Sequence, residues 1–302
     1  MSTKVYSLHT VAVNGEEIAY RKTETLGPLV VLIHGNMSSS KHLEILMEAL
    51  ESKYSVYAFD LRGMGASSYN STFDSLHELA DDIAKAMEAL GLTGAHVFGW
   101  STGGGVAMSL AGRYAHLVTS LILMSSVGLT GYPMYKKGAD YQPILSEPLL
   151  TKSDIEEDPI QVAPVLKALA EGDKAYYRGL WDMLIYIAGQ KPSEALYEAY
   201  LEDMLTQRNL VDIDYALTRF NITCDATLYA TGTGLVDAIF QPALVLYGEK
   251  DIVVPQYMTD EIVNGLTGPI RYERLVACGH NPLIDNLTEV KRLVEAHIDG
   301  LS

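Results

Sequence analysis

The chain has 302 residues, 48% of them hydrophobic, enough to bury one large core with an insertion or two modest cores. Its 22 Lys+Arg stand against 38 Asp+Glu, a formal charge of −16, which argues against phosphate backbones and anionic membrane surfaces as partners and favours solubility. No apolar run approaches the ~18 residues that span a bilayer, and neither C-x-x-C nor H-E-x-x-H occurs, so neither a membrane span nor a metal centre is expected.

The opening stretch MSTKVYSLHTVAVNGEEIAY has no apolar signal core and reads as two strands joined at Asn14-Gly15. Export is therefore not expected. Cys224 and Cys278 read as reduced thiols of a cytoplasmic protein. Apolar runs then alternate with helical patterns. PLVVLIHG (28–35), YSVYAFD (54–60), AHVFGW (95–100), SLILMSS (120–126), ALVLYG (243–248) and RYERLVACG (271–279) read as strands. Several are almost continuously apolar, as parallel strands covered on both faces must be. DSLHELADDIAKAMEALGL (74–92) and NLTEVKRLVEAHIDGL (286–301) carry helical spacing. This order predicts a mostly parallel sheet flanked by helices, with the two N-terminal strands as an antiparallel edge.

Residues 129–238 break the alternation. They offer no convincing core strand, only short helical pieces rich in Tyr and Met, such as YYRGLWDMLIYIAG (176–189) and SEALYEAYLEDMLTQ (193–207). A structureless loop of that length is improbable inside a compact domain, so a helical cap is expected over 129–238, with 1–128 and 239–302 forming the core domain. The aromatic residues of the cap serve packing, substrate lining, or both.

One stretch, AHVFGWSTGGGVAMSLAGRYA (95–115), runs from a strand through Gly99-Trp100-Ser101-Thr102-Gly103 into a small-residue helix. A buried structural serine does not account for a glycine on either side of it at a spacing of two. The arrangement suits a sharp turn that lifts Ser101 out of the backbone. The five-residue pattern alone arises by chance in about one chain in ten of this length, so its context must decide. In open α/β sheets ligands bind beyond the carboxyl ends of the strands. His34 and Asn36, Ser101, Asp251 and His280 each follow such an end, converging a hydroxyl, a carboxylate, an imidazole and a glycine-bearing loop on one rim.

At this point the chain resembles the α/β-hydrolase superfamily, on His34-Gly35-Asn36-Met37, DLRGMGAS (60–67), the turn at Ser101, GEKDIVVP (248–255) and GHNP (279–282). The order Ser101, Asp251, His280 follows that family's order. More narrowly, HGNMSSSKH (34–42), FDLRGMGASSYN (59–70) and GWSTGGGVAMSLA (99–111) resemble intracellular bacterial esterases of the short-chain polyhydroxybutyrate depolymerase type, and the STGGG run is similar to cofactor-free haloperoxidases and perhydrolases. The resemblance implies a serine hydrolase of small carboxylic esters, 3-hydroxybutyrate oligomers among them, with no metal or organic cofactor and no nucleic-acid or membrane partner. Lactonase, perhydrolase and carbon–carbon hydrolase activities use the same three residues, and a ligand receptor can keep them too.

The expected roles follow from chemical need. Ser101 requires a base, His280 supplies it near neutral pH, and Asp251 holds the imidazole. The oxyanion donors are expected from the backbone N–H groups of Asn36 and Thr102, and Met37 and Trp100 are candidates for substrate binding. Asp60 is expected to brace a turn and His34 to order the oxyanion loop. Glu249 stands as a reserve acid, Asp285 lies too near His280 to be the first choice, and Cys278 reads as a small buried side chain.

Overall fold

The computed structural model describes residues 4–301. Strands β1 (Leu8–Val13) and β2 (Glu16–Lys22) pair antiparallel around Asn14 and Gly15, whose φ values of 53° and 80° give the two left-handed positions that a tight hairpin turn demands. Strands β3 (Leu29–Ile33), β4 (Ser55–Phe59), β5 (Ala95–Trp100), β6 (Val118–Met124), β9 (Ala243–Gly248) and β10 (Ile270–Leu275) complete a sheet of eight. Its order is β1-β2-β4-β3-β5-β6-β9-β10, parallel from β4 to β10, with β2 pairing antiparallel to β4. The mostly parallel sheet and its antiparallel edge follow the apolar pattern.

Helices α1 (Glu44–Leu50) and α2 (Leu76–Ala89), capped by the Ser75 side chain, follow β3 and β4. Helix α3 (Thr102–Arg113) leaves β5 directly. Because side chains alternate along a strand, Val30, Leu32, Phe98 and Ile122 pack on one side of the sheet with Leu46, Leu50, Leu293 and Val294, while Val31, Ile33, Val97 and Leu123 pack on the other with Ile83, Met87, Val106 and Leu110.

Between β6 and β9 the chain adds no strand to this sheet. It forms a separate hairpin, β7 (Tyr135–Lys137) with β8 (Pro143–Pro148), and helices α4 (Lys152–Glu156), α5 (Ala163–Glu171), α6 (Lys174–Leu184), α7 (Glu194–Met204) and α8 (Leu210–Arg219). The hairpin is a departure from the all-helical expectation. Tyr177, Trp181, Tyr186, Tyr197 and Tyr200 of this segment are buried in one continuous apolar cluster with Trp100 and Met124, so the segment packs onto the sheet rather than standing off it. Helices α9 (Gln256–Gly265), α10 (Pro282–Asp285) and α11 (Leu287–Asp299) finish the chain. Among the described residues no helix is long and apolar enough to cross a membrane.

Strand β3 pairs with β4 on one side and β5 on the other, so successive crossovers leave in opposite directions from β3. A crevice opens at such a reversal, beyond the carboxyl ends of the strands. The loops that leave β3 and β5 there begin at His34 and Ser101.

Candidate active site

Ser101 occupies the single residue between β5 and α3, with φ 57° and ψ −121°, a conformation costly for any residue with a side chain. Backbone hydrogen bonds hold it there: its N–H donates to the Met124 carbonyl (3.0 Å), and its carbonyl accepts from Gly104 (3.0 Å) and Val127 (3.2 Å). The flanking glycines have steric reasons. A Cβ on Gly99 would strike the Gly103 carbonyl, and one on Gly103 would strike the carbonyl oxygens of Ile33 and His34. Strand, turn and helix thus approach too closely for any side chain but hydrogen at those two positions.

His280 and Asp251 meet across the ends of β10 and β9. Nδ1 of His280 lies 2.9 Å from Oδ2 of Asp251, and both side chains are buried. Burial opposes ionisation of Asp251, but the His280 contact together with the N–H groups of Val254 and Val253 on Oδ1 (3.0 and 2.9 Å) outweighs it, and the carboxyl is held below its usual range. An ionised carboxylate only accepts hydrogen bonds, so the imidazole must carry a proton on Nδ1, which donates to Asp251. Strand β10 ends at Leu275, and a loop with Ala277 at φ 61° carries the chain on to His280. Asp285 accepts from the Gly279 N–H (2.8 Å) and thereby fixes this loop, while Glu249 faces Arg274 (3.1 Å).

Trp100, expected to meet substrate, is 2% exposed. Its indole N–H donates to the His280 carbonyl (2.8 Å) and its ring lies edge-on to Trp181 at 6.3 Å. Met37 is half-buried at the end of the loop after β3, with φ 52°. That loop lies against Ser101: a Cβ on Gly35 would come within 2.9 Å of the Ser101 Cβ and 3.5 Å of its Oγ. Among the described residues neither the Asn36 N–H nor the Thr102 N–H donates to another protein atom, and Thr102 opens α3, where the first N–H groups of a helix lack internal partners. His34 orders the loop through both nitrogens, Nε2 accepting from the Leu61 N–H (2.9 Å) and Nδ1 facing the Gly35 carbonyl (2.7 Å); its burial keeps the ring neutral. Asp60 braces the neighbouring turns, accepting from the N–H groups of Ser40 (2.8 Å) and Ala66 (2.9 Å).

The segment between β6 and β9 touches the loops that carry these residues. Tyr132 donates to the Val253 carbonyl (2.8 Å), and a Cβ on Gly279 would sit 3.3 Å from the Ile185 carbonyl. Sequence reasoning misses two polar groups here. Asp214 on α8 accepts from Asn36 Nδ2 (2.9 Å), and Asp203 at the end of α7 accepts from Ser39 (2.5 Å) and lies 3.4 Å from His42. The signal for Asp214 is present, since it shares the buried stripe of Leu210, Ile213 and Leu217, where a carboxylate is out of place. Among the described residues no group of three His, Cys, Asp or Glu side chains is arranged to hold a metal ion.

Comparison with known proteins agrees with this architecture. Residues 28–287 match the model of the alpha/beta hydrolase fold family. The pimeloyl-[acyl-carrier protein] methyl ester esterase of Neisseria meningitidis serogroup C is 25% identical over 272 residues, covering 90% of this chain and 94% of that protein. Among solved structures, a bromoperoxidase from Bacillus anthracis superposes with a TM-score of 0.73 at 19% identity, covering 97% of this chain and 100% of that one. An esterase from Thermogutta terrifontis superposes with a TM-score of 0.68 at 20% identity, covering 99% of both chains. With the matched region running from β3 into α11, the chain belongs to the α/β-hydrolase fold family, and its relatives include carboxylic-ester hydrolases.

Proposed function

We propose that this chain is a serine esterase that cleaves small, mainly short-chain carboxylic esters through an acyl-enzyme. The observation that carries this reading is the 2.9 Å contact of His280 with Asp251 at the same rim of the sheet as the strained turn of Ser101. Nε2 of His280 takes the Ser101 hydroxyl proton as Oγ attacks the ester carbonyl, and the developing oxyanion is met by the N–H groups of Asn36 and Thr102. The protonated imidazole, balanced by Asp251, returns that proton to the leaving alcohol. Water then attacks the acyl-enzyme by the same exchange in reverse, releasing the acid and restoring Ser101.

Residues 1–128 and 239–302 act in this reading as the catalytic core and 129–238 as a cap that roofs it. Trp100 supports His280 and does not line the pocket, which leaves Met37 as the substrate-facing candidate of the pair. 3-Hydroxybutyrate oligomers are favoured as substrates by the stretches 34–42, 59–70 and 99–111, and a pimeloyl methyl ester by the relative named as a pimeloyl-[acyl-carrier protein] methyl ester esterase. Neither cysteine is in a disulfide, which suits a reducing cytoplasm.

The test is a panel of nitrophenyl esters, lactones, 3-hydroxybutyrate oligomers and methyl pimelate, run with wild type, Ser101→Ala, Asp251→Asn and Glu249→Gln. Turnover of esters that vanishes with Ser101→Ala, together with its fluorophosphonate labelling, supports the assignment. Asp251→Asn should lower kcat by about 10⁴-fold with Glu249→Gln close to wild type. Labelling at another residue, or the reverse order of the two acid variants, overturns it.

A further inference from the structure

The loop after β3 is not held by the core alone. Asn36 commits its whole side chain to fixing it: Oδ1 accepts from the Met37 N–H (2.8 Å) and from Gln207 Nε2 (2.8 Å), and Nδ2 donates to Asp214 Oδ1 (2.9 Å). Gln207 and Asp214 both come from the segment between β6 and β9. Gln207 Nε2 also donates to Asn209 Oδ1 (3.0 Å), and Asn209 Nδ2 donates to the Arg62 carbonyl (2.5 Å). Farther along the same loop, Ser39 donates to Asp203 (2.5 Å). Residues 203–214 therefore hold the loop at two points, Asn36 and Ser39.

Asp214 is the least expected member of this set. It is buried on the apolar stripe of α8, and its Oδ2 receives no hydrogen bond from a described residue. Burial pushes its carboxyl up to about 7, against the opposing effect of the Asn36 hydrogen bond. A buried carboxyl with one partner is a costly way to fill space, and an apolar side chain of similar volume would stabilise the helix more. What the carboxyl does supply is the acceptor that orients Asn36, next to a residue whose positive φ must be held from outside.

We infer that Asp214 is a positioning residue: through the Asn36 side chain it aims the Asn36 N–H at the oxyanion, so that α8 completes the oxyanion hole from above. This rests on the ester-hydrolase reading. Misplacing one of two donors weakens the bond made in the transition state and leaves substrate binding nearly untouched.

The experiment compares wild type with Asp214→Leu, Asp214→Ala and Asp214→Asn on nitrophenyl butyrate. It measures kcat and KM separately, the inhibition constant of an alkyl trifluoromethyl ketone whose Ser101 adduct carries an oxyanion, and the melting temperature. Asp214→Leu should melt at or above the wild-type temperature and still lose about 10- to 100-fold in kcat, with KM within about twofold and ketone affinity weakened in step with kcat. Asp214→Asn, which keeps an acceptor for Asn36, should recover to within about threefold of wild type. Asp214→Ala should follow Asp214→Leu in kcat, and the leucine variant decides the matter if the alanine variant does not fold. A leucine variant with wild-type kcat, a loss confined to KM, or an asparagine variant as impaired as leucine overturns the positioning role while leaving the esterase reading in place. A wild type that hydrolyses no ester overturns both.

Discussion

The indole N–H of Trp100 donates to the carbonyl of His280 across 2.8 Å, and the two rings lie 5.7 Å apart. The residue immediately before the turn of Ser101 thus anchors the loop that presents the imidazole. One strand thus positions both Ser101 and His280, and in the proposed esterase reading the nucleophile and its base cannot drift independently.

Trp100→Phe tests this coupling. The ring packing against Trp181 is largely kept, whereas the His280 carbonyl loses its donor at a cost of about 1–3 kcal/mol. We expect kcat to fall roughly tenfold with KM little changed, because about 1.4 kcal/mol of misplacement is felt only when the proton moves. A change confined to KM would return Trp100 to the substrate pocket.

The steric demands at two glycines predict opposite outcomes. Gly103→Ala drives a Cβ into backbone carbonyls of β3 and His34, which cannot rotate away, and should cost more than about 3 kcal/mol or prevent folding. Gly179 lies inside α6, and a Cβ added there would meet nothing within 4 Å, so Gly179→Ala should stabilise by about 0.5–1 kcal/mol through helix propensity. Urea denaturation of the two variants checks both signs.

Much of the frame is legible in the sequence because its signals are local. A run such as ALVLYG states its own burial, Asn14-Gly15 states its own turn, and glycines on both sides of Ser101 state a close approach. The positions of Ser101 and Asp251 just past strand ends follow from these signals, whereas β10 stops at Leu275, short of the expected 279, and a loop carries His280; the chemical roles of all three rest on the esterase proposal. The segment 129–238 is less legible for a physical reason. Strands β7 and β8 are short, carry Pro143 and Pro148 at the ends of one of them, and pair only with each other, so no apolar alternation announces them. Asp214 is hidden differently. Its place on the apolar stripe of Leu210, Ile213 and Leu217 announces a buried carboxylate, but only tertiary packing shows that its partner is Asn36. Nor does the sequence show that the Trp100 N–H is bonded to a chain segment 180 residues away.

Stability at acid pH should be limited by His297. This residue of α11 is buried, its Nε2 has no hydrogen-bond partner among the described residues, and burial, with His96 and Arg271 nearby, pulls its pKa down to about 4. The unfolded chain takes up the proton below about pH 6.5, whereas the folded chain does so only near 4, so the folded state is penalised increasingly as pH falls through that window. Above about pH 6.5 the penalty is absent. His297→Leu should therefore shift Tm little at pH 8 and raise it relative to wild type at pH 5, with the gap widening toward pH 4. Thermal melts across this range that keep the two proteins parallel would remove His297 as the cause.

If 129–238 roofs the site as proposed, the acyl-chain preference follows from what that segment is made of. Tyr177, Trp181, Tyr186, Tyr197 and Tyr200 are all buried, and they pack against neighbouring rings, His42 and Tyr176 included, at centroid distances from 4.2 to 6.2 Å. Such a roof accepts a small ester beneath it but must be pushed apart by a long one, at about 1–3 kcal/mol for each packed side chain displaced. We expect kcat/KM for nitrophenyl esters to peak at roughly two to six acyl carbons and to fall by about tenfold or more by about twelve, since 1.4 kcal/mol is a factor of ten. Soluble 3-hydroxybutyrate oligomers fit that size, whereas a crystalline polymer surface does not. Trp181→Ala, which removes one of these packed rings, should move the optimum to longer chains. An optimum already beyond about twelve carbons in wild type would mean that the segment parts over an open acyl channel, and the short-ester reading would fall.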